Sequence, residues 1–226
     1  MPDLSGIFSY FIDILYVLPA VVVGLSFHEW AHAFAALKMG DPTARNLGRL
    51  TVNPLAHIDP MGFLMMLLVG FGWAKPVPVN PRNYRNYRTG EIVVSLAGVT
   101  MNLIIAVISA FVYGLVNKLT SGTIDRSGSI GILLIVINYF IIVNLSLMVF
   151  NLIPIYPLDG YHVFEVLLIK RLGPKPFTFL RRYGRYILIG VLLLGRIGFS
   201  FVGTAAGFLY QNLMKLVSLL LGANLF

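Results

Sequence analysis

Two long apolar runs decide most of what this chain can fold into. From Thr89 to Val116 the one charged residue is Glu91, and from Gly131 to Phe150 there is none. At a rise of about 1.5 Å per residue, roughly 20 apolar residues cross the hydrocarbon layer as a helix, and both runs are long enough. Lipid offers no water to an open backbone, so such runs must close their own hydrogen bonds as helices. A third run, about residues 7–37, is broken mainly by Asp13, Pro19 and the group His28, Glu29 and His32. Its second half is expected to span and to end near Lys38–Asp41, with Gly40 as C-cap and Pro42 as a stop. The part before Pro19 is expected to lie partly in the interface. Composition agrees: 58% of the 226 residues are hydrophobic and 12% charged, whereas a soluble domain is nearer half and a quarter.

The rest of the chain is read around these runs. A polar, proline-rich connection extends from Asp41 to Pro60. Residues 61–73 are apolar but too few to span, which predicts a re-entrant or surface-lying segment. In residues 73–81, Val77 and Val79 alternate with Pro76, Pro78 and Asn80, which predicts a small β-strand or hairpin at a sheet edge. After Asp159-Gly160 a short helix is expected to Leu172, then a basic stretch, then apolar segments at 186–202 and 204–221. The expected fold is an all-α polytopic membrane protein of about five to six membrane helices. MPDLSG carries no basic cluster, so no cleavable signal is expected. The lack of cysteine excludes disulfides and thiolate metal sites.

The net charge of +8 would suggest nucleic acid in a soluble protein, but here the charge lies between apolar runs, and no nucleic-acid partner is expected. Residues 38–89 hold Lys38, Arg45, Arg49, Lys75, Arg82, Arg85 and Arg88 against Asp41 and Asp59. Residues 152–185 hold Lys170, Arg171, Lys175, Arg181, Arg182 and Arg185 against Asp159 and Glu165. The turn between them holds only Lys118, Asp125 and Arg126. The positive-inside rule then puts both basic connections in the cytoplasm, with the N-terminus and the 117–130 turn outside. The expected location is the cytoplasmic membrane of the cell, crossed several times.

His28-Glu29-Trp30-Ala31-His32 fits H-E-x-x-H. Histidines four apart on a helix share a face and can grip one Zn²⁺, and Glu29 beside them can reach a water as general base. A pair of structural histidines is the plain alternative. A carboxylate inside an apolar run is costly to insert, about 2.5–3.5 kcal/mol, and that favours a site. Catalytic zinc takes three protein ligands and keeps one open position. Candidates for the third are His57, Asp59, Asp159 and His162. Asp159 lies in NLIPIYPLDG, residues 151–160, where a span ends among prolines at the membrane level of His28 and His32. Its plain alternative is a helix N-cap. His162 is the next candidate, while interfacial bonding or capping suits His57 and Asp59 better.

These segments resemble the site-2 proteases, intramembrane zinc metalloproteases. HEWAH resembles their zinc-binding helix and NLIPIYPLDG their distal ligand motif. SLAGVTMN, residues 95–102, is similar to their central Ala-Gly-Pro-x-x-Asn stretch, with Val99 where proline is common. NPLAHIDPMG and GWAKPVPVNP resemble the compact subgroup without PDZ or CBS domains. The resemblance covers about residues 20–170. It implies Asp159 as third ligand of one Zn²⁺ per chain, and Asn151 or Asn102 as substrate-binding or oxyanion-stabilising groups. It also implies transmembrane proteins as substrates, cut within or near their membrane segments, at a site open to the cytoplasmic side. One membrane protease domain, 1–226, is expected, with its catalytic core at about 15–170 and C-terminal membrane helices at about 183–222. The Pro-rich 74–80 segment is a candidate edge for an unwound substrate to pair with. The competing reading is a non-proteolytic metal-binding transporter or sensor, for which Glu91 and Asn138 are the further polar residues in spans. Gly203 and Gly207 form a small-xxx-small pair, read as helix packing with self-association as a weaker option.

Overall fold

The computed structural model describes residues 4–70, 72–120, 128–196 and 200–223. It is helical throughout and, among the described residues, contains no sheet. The long helices are α1 (Leu4–Met39), α4 (Tyr87–Leu119) and α5 (Ser129–Asn151). Short helices α2 (Thr43–Asn46) and α3 (Pro60–Val69) lie between the first two. The chain ends in α6 (Asp159–Leu172), α7 (Lys175–Arg196) and α8 (Phe201–Leu221). Three helices are long and apolar enough to cross a membrane: Ser9–Met39 within α1, α4 and α5. α7 carries Lys175, Arg181, Arg182 and Arg185 in its first half, and Gln211, Asn212 and Lys215 interrupt α8.

α1, α4 and α5 pack on one another; α8 lies against α4 and α5, α6 against α4, and α7 against α6. α4 shows why. Its buried positions include Gly90, Ser95, Gly98, Asn102, Ala106, Ala110 and Gly114, while Ile104, Ile108, Phe111 and Leu115 point outward. Small residues inside and large ones outside invert the pattern of a soluble core. That is the arrangement of helices that associate by close backbone approach in lipid. Val99, buried in the cluster with Ile141, Leu145 and Met214, leaves α4 unbroken.

Several boundaries follow the expected signals. α1 ends where Gly40, at φ 111°, turns the chain, and Asp41 N–H donates to Ala36 O at 2.8 Å. α1 is one continuous helix through Pro19, so the part before Pro19 is not a separate element. Asp59 caps α3, accepting from Gly62 N–H at 2.8 Å. The strand or hairpin expected at 73–81 is not built. Its trace is one isolated antiparallel bridge, Ile58 to Ala74, which closes the base of the α3 excursion. Pro76 and Pro78 have no N–H to give, so the ladder cannot propagate. Among the described residues Gly203 and Gly207 pack on no other helix of this chain: a Cβ on Gly203 would meet Ser200, and one on Gly207 nothing within 4 Å. α8 packs instead through Ala206, Met214 and Val217. Residues 121–127 of the 117–130 turn, with Asp125 and Arg126, and residues 1–3, including Asp3, lie outside the described residues.

Both basic connections gather at one end of the bundle. Arg85 N–H donates to Met39 O at 2.8 Å, and Arg88 Nη2 to Val166 O at 3.2 Å. At the other end Lys118 Nζ reaches Leu221 O at 2.6 Å.

Candidate metal centre

His28 and His32 sit one turn apart on α1 and turn their imidazoles toward α4. Gly98 makes room for them. A Cβ there would lie 2.5 Å from His32 Nε2 and 2.6 Å from His28 Cε1, closer than real Cβ contacts come. Asp159 arrives from the turn after α5, as the first residue of α6. The tight approach there depends on Gly160, whose Cβ would stand 2.3 Å from Leu152 O.

Hydrogen bonds fix the tautomers of both imidazoles. His32 Nδ1 lies 2.7 Å from Val94 O, a carbonyl that can only accept, so Nδ1 carries a proton and, in the neutral ring a metal requires, Nε2 is the free nitrogen. His28 Nδ1 lies 2.7 Å from Asn102 Oδ1. The Asn102 amide can face only one way, because its Nδ2 donates to Gly24 O at 3.2 Å and to Asn144 Oδ1 at 2.9 Å. Asn144 is oriented in turn by Nδ2 donating to Phe140 O at 2.9 Å. Asn102 and Asn144 are both fully buried. This relay through α1, α4 and α5 leaves His28 Nε2 bare as well.

The two Nε2 atoms stand 2.9 Å apart, and Asp159 Oδ2 is 3.3 Å from each. With both rings neutral, two lone pairs and a carboxylate oxygen face one another. Asp159 Oδ2 is buried without a hydrogen-bond partner. These three residues form the group among the described residues able to hold a metal ion. Zinc bonds of about 2.0–2.1 Å in a tetrahedron set neighbouring ligand atoms about 3.3 Å apart, close to this triangle. The donor set of two neutral imidazoles and one carboxylate suits Zn²⁺. By the helical rise, His28 lies about 16 Å along α1 from Met39, well inside a span.

A cavity of about 270 Å³ opens on the triad, lined also by Glu29, Asn151, Val77 and Tyr84. Glu29 Oε2 accepts a 2.7 Å hydrogen bond from Val77 N–H. Asn151 donates one amide hydrogen to Leu147 O at 3.0 Å, and its second amide hydrogen remains for another acceptor. Burial, reinforced by the Glu91 carboxylate, pushes the Tyr84 hydroxyl up, so the phenol at the cavity wall stays neutral.

The sequence-derived candidates therefore separate. His28, His32, Asp159, Glu29 and Asn151 meet at one cavity. Asn102 stands behind His28, both amide hydrogens engaged, and is absent from the cavity lining. His57 is buried elsewhere, its Nε2 donating to Thr51 O at 2.7 Å, and Asp59 serves as a cap. His162 lines the cavity but pairs through Nδ1 with Glu91 Oε1 at 3.0 Å. Asn138 accepts from Tyr210 O–H at 2.8 Å, tying α5 to α8. Sequence reasoning passes over Gly98 as a cradle and Asn144 as a partner of Asn102. Asn144 carried a signal, an amide within an apolar run; Gly98 carried none beyond its place in SLAGVTMN.

The comparisons with known proteins agree with this geometry. The family model described as Peptidase family M50 matches residues 16–195. A Bacillus subtilis protein named "Putative zinc metalloprotease YwhC" is 40% identical over 190 residues, covering 81% of this chain and 82% of that protein. Two mycobacterial proteins share that description under the name Rip2. The one from Mycolicibacterium smegmatis is 31% identical over 70% of this chain and 59% of its own length. The one from Mycobacterium tuberculosis strain H37Rv is 28% identical over 79% and 65%. No solved structure matches the chain. The chain belongs to peptidase family M50, the site-2 protease family of membrane zinc metallopeptidases.

Proposed function

We propose that this protein hydrolyses peptide bonds within or near transmembrane segments of other membrane proteins, the chemistry of regulated intramembrane proteolysis. His28, His32 and Asp159 hold one Zn²⁺ and Glu29 is the catalytic base. The observation that carries this is the convergence of two bare Nε2 atoms and an unpartnered carboxylate oxygen within 3.3 Å, beside Glu29. When bound, Zn²⁺ supplies Lewis-acid polarisation of water and of a carbonyl. Glu29 accepts the proton of the attacking water and passes it to the leaving amine. Asn151 offers its remaining amide hydrogen to the substrate carbonyl as negative charge develops there. Asn102 orients His28 from behind.

The substrate enters unwound, since a helix hides its carbonyls in its own hydrogen bonds. The extended 74–80 segment borders the cavity and offers backbone for it to pair with. The catalytic core spans about residues 15–170. α7 and α8 add two membrane helices at about 183–222, bringing the total to five, and α3 is a re-entrant or interfacial segment. The enzyme sits in the cytoplasmic membrane, its site toward the cytoplasm. The basic residues of both connections, gathered at the site's end of the bundle, support that orientation.

The direct test replaces Glu29 by Gln and assays a tagged single-span substrate. Cleavage is expected to disappear, a loss of at least about 10³-fold if the base is essential, with zinc content unchanged by metal analysis. Full activity in Glu29→Gln sinks the proteolytic reading.

A further inference from the structure

Glu29 has a partner that the H-E-x-x-H motif does not account for. The amide on its Oε2 belongs to Val77, in Pro76-Val77-Pro78. Neither proline has an N–H, so Val77 carries the single amide donor of this tripeptide. Lys75 and Val77 both precede proline, which drives them to extended backbone, and each proline fixes its own φ. The donor is stiff before it touches anything. Its surroundings stiffen it further. The Val77 side chain is buried with Ala33, Ala44 and Leu50. Lys75 N–H donates to His57 O at 2.8 Å, Arg49 Nη2 donates to Lys75 O at 2.9 Å, and Asn80 N–H donates to Asp41 Oδ2 at 2.6 Å. Ala33 lies one turn after Glu29 on the same face of α1, so the helix that carries the base also seats the donor's side chain.

We propose that the Val77 N–H is a positioning group for Glu29. It holds Oε2 and leaves the other carboxylate oxygen facing the water and the leaving amine. The inference rests on Glu29 being the base. An N–H bonded to a carboxylate is a charge-assisted bond, and a glutamate left free in a cavity samples rotamers that aim its carboxylate elsewhere. The prolines serve this role by keeping the donor on a short, rigid piece of chain.

The test has two arms. In the first, Val77 is replaced by its α-hydroxy acid, exchanging N–H for an ester oxygen with the side chain kept, and separately by Pro and by Ala. For the ester and for Val77→Pro, kcat is expected to fall at least about ten-fold with KM within about two-fold and zinc content unchanged. Val77→Ala keeps the N–H and is expected to turn over at least about ten-fold faster than Val77→Pro. In the second arm, hydrogen exchange of the Val77 amide is followed in wild type and in Glu29→Ala. It is expected to be slow in wild type and at least about ten-fold faster in the variant. The proposal is overturned if the ester turns over at the wild-type rate, or faster, which would make Val77 a restraint on the base. Equal protection of the amide in Glu29→Ala also overturns it. A dead Glu29→Gln beside a fully active ester rejects the positioning role alone and leaves the protease reading standing.

Discussion

Gly98 occupies a place where even a methyl group would intrude on two imidazoles. Its hydrogen stands where a Cβ would sit 2.5–2.7 Å from ring atoms of His28 and His32. α4 is a regular helix there and, packed on α1 and α5, has little freedom to retreat. Gly98→Ala is therefore expected to push the imidazoles off their common point and weaken zinc by about ten-fold or more. Chelator competition on purified protein measures this without a substrate. Retained affinity would show that the helices can separate at this point. Glu29, one residue from His28, is a different case, because its candidacy as the base was readable from the motif and only its Val77 partner needed coordinates.

At the scale of elements, the extended segment 75–80, between the Ile58–Ala74 bridge and a 3-10 turn at Pro81–Asn83, has no strand partner of its own to hold it. Side chains do the work instead. Asp41, fully buried just past the end of α1, accepts from Asn80 N–H at 2.6 Å and from Asn83 Nδ2 at 2.7 Å, as well as from the Thr43 hydroxyl and backbone. Burial alone would raise its pKa, but these donors outweigh burial and hold it below the usual 3.8. A depressed carboxylate stabilises the fold at pH values above its unfolded pKa, and that contribution is lost as pH falls through the folded value. Asp41→Asn is expected to cost about 1–3 kcal/mol near neutrality. The gap from wild type should close below about pH 3.8. Thermal unfolding of both proteins across pH measures it, and a gap that persists in acid would deny the carboxylate this role.

At the scale of the whole molecule, the polarity of the bundle decides where water and product meet the site. Connections 38–89 and 152–185 lie together at one end, and the ends of α4 and α8 at the other. The chain has no cysteine, so a single introduced thiol reports its own side of the membrane. Arg171→Cys is expected to react with an impermeant maleimide only from the cytoplasmic face. Lys118→Cys should react from outside intact cells. The reverse pattern would invert the orientation drawn from the basic residues.

The sequence by itself determined the three long apolar helices, most of their ends, and the pair of histidines placed to share a metal. Those features depend on local physics: run length against bilayer thickness, a glycine or proline at a helix end, and histidines at i and i+4. It also marked 74–80 as extended, through its prolines, but suggested a ladder that those same prolines prevent. Asp159 was the preferred third member by its motif and family resemblance, but only the tertiary structure brings it, and not His57 or His162, to the two imidazoles, since that depends on where the turn after α5 meets α1. The tertiary structure likewise moved Asn102 from the cavity to the back of His28 and revealed Asn144, Gly98 and Val77 N–H. Each of these acts through a contact between elements 40 to 80 residues apart in sequence, and no periodicity or motif encodes such a distance.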